Sequence, residues 1–442
     1  MKYISIFLGK LVALITTALG RGSSFPGKIA EQIDKNILKK FKLPDKVIVV
    51  TGSSGKGSTT KIIAHAFRSL NYTVAHNKEG GNQTTGVITT LIKNSSLTGK
   101  IKTDVVVLEM DERYIKYVLP IIKPTDVVIT NVTRDQPPRQ RHPEFIIEEI
   151  EKGLDEKVHL YLNANDPILQ KFVKNKKNKV TYYGIEKLKD SYKDNLFNSL
   201  NCTICPKCNS SLTYEYYHIE DLGKYKCSNK KCKFEMPKPK YKITDFKGKD
   251  ITIDKKYKIT LNNDMLYNLY NTISAFSVLA EYNLDKNKIA SAISKLNKDK
   301  KIYSNYQINK REVFVLNNKC ENSSTYNQSI LYTYNNKKEK TIVIGWEEIS
   351  RRYLWDELSW LYDIEFELLK ENTHSFIVAG PQRYDIAVRL KYAGIEEEKI
   401  KIQKDLYSAK EDIKNSKGDI YAILNFDYIN DFNRVMEEIK WK

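Results

Sequence analysis

From Lys46 onward the chain alternates short β-branched runs with segments of helical period, and that alternation restricts the fold more than any other feature. Strands joined by crossover helices lie parallel and are covered on both faces. They therefore read as continuous Val/Ile runs instead of alternating apolar and polar positions. Strands are expected at 47–50, 73–75, 105–108, 127–130, 160–163 and 180–183. A second series is expected at 313–316, 341–344, 375–379, 400–402 and 419–425, with helices over 265–282 and 285–296 between the two. Residues 196–260, rich in Cys, Lys and Tyr, interrupt the rhythm and read as a β-rich insertion. A chain of 442 residues has room for two or three domains, and the natural boundary falls near residue 305. The expected class is α/β: a parallel sheet with a phosphate loop, a cysteine-bearing insertion, and a C-terminal α/β Rossmann-like domain.

Composition excludes other classes. With 41% hydrophobic and 29% charged residues the chain is neither disordered nor fibrous. Lys and Arg number 73 against 54 acids, a net charge of +19 that suits an anionic partner. The excess is mostly Lys scattered along the sequence, without the bidentate readout of Arg, so no nucleic acid is expected. The apolar stretch from Tyr3 to Leu19 raises a signal segment or a membrane anchor, but Lys10 interrupts it. Its unbroken part is far short of the ~20 residues a spanning helix needs. A core-packed or interfacial amphipathic helix is the preferred reading, because the nucleotide site that follows requires ATP.

That site follows the first strand: Gly52-Ser53-Ser54-Gly55-Lys56-Gly57-Ser58-Thr59, then an apolar helix. Glycines let backbone N–H groups turn toward phosphate oxygens, the helix N-terminus adds positive dipole, and Lys56 supplies a mobile cation. The spacing is not that of a strict Walker loop, since Val50 stands where its first glycine would be. Glu109, Asp111 and Glu112 follow the 105–108 strand, placed for a hard divalent cation at the strand's C-terminal end. Asp111 and Glu112 fit a solvated helix start equally well.

Five of the six cysteines fall within residues 202–232. Cys205 and Cys208 form a Cys-x-x-Cys pair, and Cys227 and Cys232 follow at close to zinc-ribbon spacing. Four thiolates leave tetrahedral Zn²⁺ no open position, so the expected site is structural. Cys202 as a substitute ligand, and a redox dithiol, are the alternatives. Cys320 stands apart without a nucleophile-elbow context, so it is not expected to act as a catalytic nucleophile.

The loop resembles that of the Mur ligase superfamily, with Gly57 in place of the hydroxyl residue that usually follows the lysine; folylpolyglutamate synthases share that glycine and use the next Ser. Further stretches resemble the MurT family in particular: residues 6–30 with Gly20-Arg-Gly-Ser-Ser24, Asn131-Val-Thr-Arg-Asp-Gln136, the cysteine ribbon, and Asp356-Glu-Leu-Ser-Trp-Leu-Tyr-Asp363. The resemblance implies a Mur ligase central domain at 41–304 with a zinc ribbon near 200–240. Residues 1–40 would be a helical segment packed on it, and 305–442 a MurT-type C-terminal domain.

Carried over residue by residue, it implies ATP bound by Gly52 to Thr59, with Asn268 and Asn271 at the adenine. Mg²⁺ would be held by Ser58 and Glu109, with Thr59 in reserve, and Lys56 and Glu109 would be catalytic. Asp356, or else Glu357 or Asp363, would complete the catalytic triad of a GatD-type glutamine amidotransferase partner. The implied reaction is ATP-dependent amidation of the D-glutamate α-carboxylate of lipid II, in the cytoplasm at the inner face of the plasma membrane. Segment 318–328 departs from the family loop, and substrate contacts there are not carried over. A folylpolyglutamate-type ligase and a zinc-ribbon nucleic-acid-binding ATPase are the alternatives.

Overall fold

The structure is a computed structural model that describes residues 1–18, 22–77, 81–135, 142–173, 177–298, 305–308, 310–318, 322–346 and 358–440. The N-terminal segment forms α1 (Lys2–Ala18) and α2 (Phe25–Ile33). Then come β1 (Lys46–Thr51), α3 (Lys56–Ser69), β2 (Val74–His76), α4 (Thr84–Asn94), β3 (Val105–Glu109), α5 (Ile115–Ile122), β4 (Asp126–Ile129), α6 (Pro143–Glu151), β5 (His159–Asn163) and β6 (Val180–Ile185). Strands β1 to β6 stand in the order β6-β5-β4-β1-β3-β2, all parallel. Val47 to Val50 of β1 are at most 2% exposed, as a strand covered on both faces must be.

The expected insertion over 196–260 divides in two. Only its first part leaves the sheet, as the hairpin β7 (Leu212–Ile219) and β8 (Leu222–Cys227). The remainder, β9 (Tyr241–Lys247), β10 (Asp250–Ile253) and β11 (Tyr257–Thr260), extends the main sheet to nine strands. β9 pairs parallel to β6, and β10 and β11 follow as an antiparallel edge. Alternation at Ile251, Ile253 and Ile259 puts these side chains into the core beneath α7 (Leu266–Glu281) and α8 (Lys286–Lys298). The polar residues between them are what made the stretch read as separate.

A second sheet is built from β12 (Asn305–Ile308), β13 (Arg311–Asn318), β14 (Lys340–Gly345), β15 (Thr373–Ala379), β16 (Ile400–Gln403) and β17 (Asp419–Asn425). Their order is β12-β13-β17-β14-β15-β16, parallel except for β12. Helices α9 (Ser323–Asn335), α10 (Arg383–Tyr392), α11 (Lys410–Asn415) and α12 (Ile429–Lys440) complete this unit. No helix among the described residues is long and apolar enough to cross a membrane.

α1 is fastened along one face. Ser5 Oγ donates to the carbonyl of Ala30 at 2.7 Å, Lys10 Nζ donates to that of Ile92 at 2.7 Å, and Ile6 and Ala13 enter the core.

Candidate active site

β1 ends where the chain's path across the sheet reverses, the place at which open α/β sheets bind ligands. The loop after it turns through Gly55 at φ +78°, a conformation costly for a residue with a Cβ, and α3 starts immediately behind. A Cβ on Gly55 would also sit 2.3 Å from Asn271 Oδ1, so α7 seals the loop from behind.

The loop is held in front by the end of β4. Asn131 Oδ1 accepts the N–H of Ser54 at 2.9 Å, and Asn131 Nδ2 and Thr130 Oγ1 donate to the carbonyl of Ser54 at 3.0 and 2.7 Å. Ser53 Oγ accepts the N–H of Thr133 at 3.0 Å. Asn131 entered the sequence reading only as part of a family stretch. Its role as a clamp depends on β4 lying beside β1, which local sequence does not declare.

Lys56 is 8% exposed. Its ammonium donates to the carbonyl of Gly52, to that of Ser53 at 3.4 Å and to Glu112 Oε1 at 3.0 Å. Burial alone would depress its pKa, but the carboxylates of Glu112, Asp135 and Glu109 outweigh burial and hold it above its ordinary value. Lys56 therefore stays cationic.

Glu112 settles one of the open alternatives: it is 2% exposed and paired with Lys56, not a solvated helix acid. Asp111 behaves as a cap, its Oδ1 accepting the N–H of Arg113 at 3.1 Å. Glu109 sits at the end of β3 with its backbone N–H and carbonyl both bonded to the side chain of Asn77, and Oε1 accepts from Asn82 Nδ2 at 3.3 Å. A Cβ on Gly57 would lie 3.0 Å from Glu109 Oε2, so a side chain at the unusual glycine would crowd the carboxylate.

These groups line a cavity of about 680 Å³ between the two sheets. Ser53, Ser54, Gly55, Lys56, Gly57 and Ser58 form one wall, and Asn317, Asn318, Thr325, Gln328 and Phe426 of the C-terminal unit form another. Ser58 faces the cavity, whereas Thr59 is buried with its hydroxyl 3.4 Å from Asn271 Oδ1. Asn271 lines the cavity; Asn268 does not, and its amide is bound to Asn262. Backbone N–H groups, a buried cation and several carboxylates at one mouth are a donor set for a triphosphate with its divalent ion.

The cysteines converge. Sγ atoms of Cys205, Cys208, Cys227 and Cys232 lie within 4.8 Å of one another, so the donor set fits a tetrahedral metal. Cys202 is elsewhere, packed into the main core with its Sγ 3.4 Å from the carbonyl of Ile204, and burial pushes its thiol pKa up. The turn between β7 and β8 reaches the C-terminal unit. There Glu220 accepts from Asn327 Nδ2 at 2.7 Å and from Ser324 Oγ at 3.0 Å.

Among the acids expected to serve a partner, Asp356 and Glu357 lie outside the described residues, as does Cys320. Asp363 is described, and both its oxygens are engaged: Oδ2 by Arg134 Nη1 at 2.7 Å and Oδ1 by Ser199 Oγ at 3.0 Å.

A phosphate loop at the switch point of this sheet, facing a second α/β unit across a cavity, is the Mur ligase fold, and residues 50–232 match the Mur ligase middle domain family. A pseudomurein peptide ligase type C from Methanothermus fervidus superposes with a TM-score of 0.68 at 22% identity, over 92% of this chain and 81% of that one. A MurF ligase from Thermotoga maritima in complex with ADP gives 0.58 at 17%, over 94% and 82%. Residues 320–428 match the MurT ligase C-terminal family. The lipid II isoglutaminyl synthase (glutamine-hydrolyzing) subunit MurT of Staphylococcus aureus strain COL is 29% identical over 96% of this chain and 95% of its own. The Streptococcus pneumoniae R6 subunit of the same name is 28% identical over 93% and 91%. The chain therefore resembles MurT subunits along almost its whole length, with a Mur ligase middle domain match followed by a MurT C-terminal match.

Proposed function

We propose that the chain is the ATP-using subunit of a lipid II isoglutaminyl synthase. Its reaction would convert the α-carboxylate of D-glutamate in the lipid-linked stem peptide to the carboxamide of D-isoglutamine. The carboxylate attacks the γ-phosphorus of ATP, ADP leaves, and the resulting acyl phosphate is attacked by ammonia, releasing phosphate. The single observation that carries this reading is the cavity in which the cationic phosphate loop faces the MurT-type C-terminal unit.

Within it, the loop from Gly52 to Thr59 would bind the triphosphate through the N–H groups at the start of α3 and the Lys56 ammonium, which would spread its developing charge, while the N–H groups of Ser53, Ser54 and Thr59 are held by Asn131 and Gly55. Ser58 and Glu109 would hold Mg²⁺, which neutralises phosphate charge when bound; the exposure of Ser58 to the cavity favours it over Thr59. Asn271 is the better candidate for the adenine side, Asn268 the weaker. Burial between the sheets would keep water from the acyl phosphate.

The domains would follow the expected division: 1–40 as a packed helical segment, 41–304 as the ATP-binding domain, and 305–442 as the C-terminal domain. Ammonia would come from a GatD-type glutaminase whose triad is completed by Asp356, or by Glu357. Asp363 is already committed to Arg134 and Ser199. Zn²⁺ is the expected metal for the four cysteines, which favours this reading over a folylpolyglutamate-type ligase. The site of action would be the cytoplasmic membrane surface.

The test combines the chain with a lipid-linked muropeptide, ATP-Mg and ammonium, and follows by mass spectrometry the small mass decrease of a carboxyl becoming an amide. Amidation by the unaltered chain and its loss in Lys56→Met and Glu109→Gln are expected. Normal amidation by both variants would overturn the assignment.

A further inference from the structure

α1 carries two faces that the fold uses unequally. Ser5, Ile6, Gly9 and Ala13 are buried against α2 and α4, and a Cβ at Gly9 would lie 2.7 Å from Ile92 Cδ1, so the helix sits too close to α4 to roll. Opposite them, Tyr3, Ile4, Phe7, Leu11, Leu14 and Ile15 are between 45% and 72% exposed. At about 100° per residue these six fall within an arc of about 120°, a continuous apolar stripe and not scattered contacts. Single exposed apolar residues are ordinary; a contiguous stripe marks a surface that is covered in use.

Charge identifies the cover. No acid occurs before Glu31, while Lys2, Lys10, Arg21 and Lys28 all fall in that stretch. The cationic rim continues in three dimensions. Lys42 and Lys100 form a bridge beside α1, their loop brings Gly99 to the Lys2 side chain, and exposed Leu97 lies in the same loop. Lys102 is close enough to Lys10 to depress its pKa further than burial already does.

We propose that the outward face of α1 and this lysine rim form a docking surface for an anionic phospholipid bilayer, with the helix lying in the interface plane. An apolar stripe flanked by lysines is what an in-plane helix presents to lipid. A protein partner would be expected to offer acids to the rim and apolar groups to the stripe at once; a bilayer with anionic headgroups does both without shape complementarity. The inference sits beside the proposed reaction, whose lipid-carried acceptor lies at the same surface. The binding test uses neither acceptor nor ATP, so its failure and that of the amidation assay are distinguishable.

The full chain is sedimented with vesicles of equal parts phosphatidylglycerol and phosphatidylcholine, and with phosphatidylcholine alone. Binding to the mixed vesicles that weakens with added salt is expected. Phe7→Glu combined with Leu11→Glu and Leu14→Glu should lower the bound fraction at least about tenfold while leaving thermal unfolding and nucleotide affinity unchanged. Lys2→Glu combined with Lys42→Glu and Lys100→Glu should abolish the preference for the anionic lipid. Absence of binding by the unaltered chain, or equal binding by all three proteins, would overturn the proposal. So would a dimer or subunit complex that the acidic stripe variant dissolves, since the face would then be covered by protein.

Discussion

At the scale of single residues, the pair Lys56 and Glu112 couples chemistry to stability. Each is nearly inaccessible, and each is the other's counter-ion at 3.0 Å. Lys56→Met is expected to lower amidation by at least about a hundredfold, the usual effect of deleting a preorganised charge at a phosphoryl-transfer site. It should also destabilise the fold by about 3–5 kcal/mol, because the buried Glu112 carboxylate loses the Lys56 ammonium. Adding Glu112→Gln separates the two effects: denaturant unfolding should return toward that of the unaltered chain while amidation stays lost. If stability does not recover, the buried pair is not the cause.

The loop itself was legible in the sequence because strand, glycines, lysine and helix start are contiguous there. Glu112 was not. Whether an acid after a strand is solvated or buried depends on a cation that lies 56 positions away in the chain.

Among elements, the hairpin of β7 and β8 joins two roles, with the cysteine cluster at its open end and Glu220 at its turn. Burial pushes the Glu220 carboxyl up to about 7, and the charge of Asp221 adds to the rise while Asn327 and Ser324 oppose it. A carboxyl raised from 4.5 to about 7 contributes stability that is complete below about 4.5 and lost as pH rises through about 7. Glu220→Gln should therefore stabilise the protein relative to the unaltered chain at pH 8, by on the order of 2–3 kcal/mol, and be neutral near pH 4.5.

The amide fits the site. Asn327 must donate to residue 220, since its own Oδ1 accepts the N–H of Glu365 at 2.9 Å, while the Ser324 hydroxyl can turn to accept. Denaturation midpoints at the two pH values decide it, and parallel profiles would contradict the assignment.

Metal content gives a second check at this scale. One bound zinc per chain is expected, and a chelator or Cys208→Ser with Cys227→Ser should lower the melting temperature by several degrees. An unchanged melt would place the four thiols outside any structural site. The cysteine spacing announced this cluster, because thiolates have few other uses at such density. The strands that follow it were less visible: β9 to β11 look polar and lysine-rich, and only their pairing with β6 puts them in the main sheet.

Over the whole molecule, the two units meet through polar links set beside an apolar cluster in which Phe197 and Ile219 pack with Leu331. Arg134 bonds Asp363, Asn322 Nδ2 donates to Asp135 Oδ1 at 3.2 Å, and Asn198 Nδ2 donates to Glu365 Oε1 at 2.7 Å. None of these pairs is apparent from sequence, since each joins positions more than 160 residues apart. Asp363→Asn weakens a partly exposed ion pair, worth about 1 kcal/mol, so amidation should fall no more than about tenfold, and equally with glutamine or ammonium as nitrogen source. Asp356→Asn or Glu357→Gln should depress only the glutamine-driven rate if that acid orients the partner's histidine. Side-by-side rates with the two nitrogen sources, in the presence of the glutaminase, distinguish the three residues.

The parallel pairing of β6 with β9 has a topological cost for anyone who trims this protein. Neighbouring strands that run the same way cannot be joined by a tight reversal, because the chain must travel back the length of the sheet before it re-enters. The stretch from 186 to 240 makes that return journey, so it is a bridge as well as a cargo of thiols. Excising it and splicing the ends should leave insoluble material, whereas a replacement connector of about a dozen residues should restore the β6–β9 pairing in a chain that lacks the metal and the Asn198, Ser199 and Glu220 contacts to the C-terminal unit.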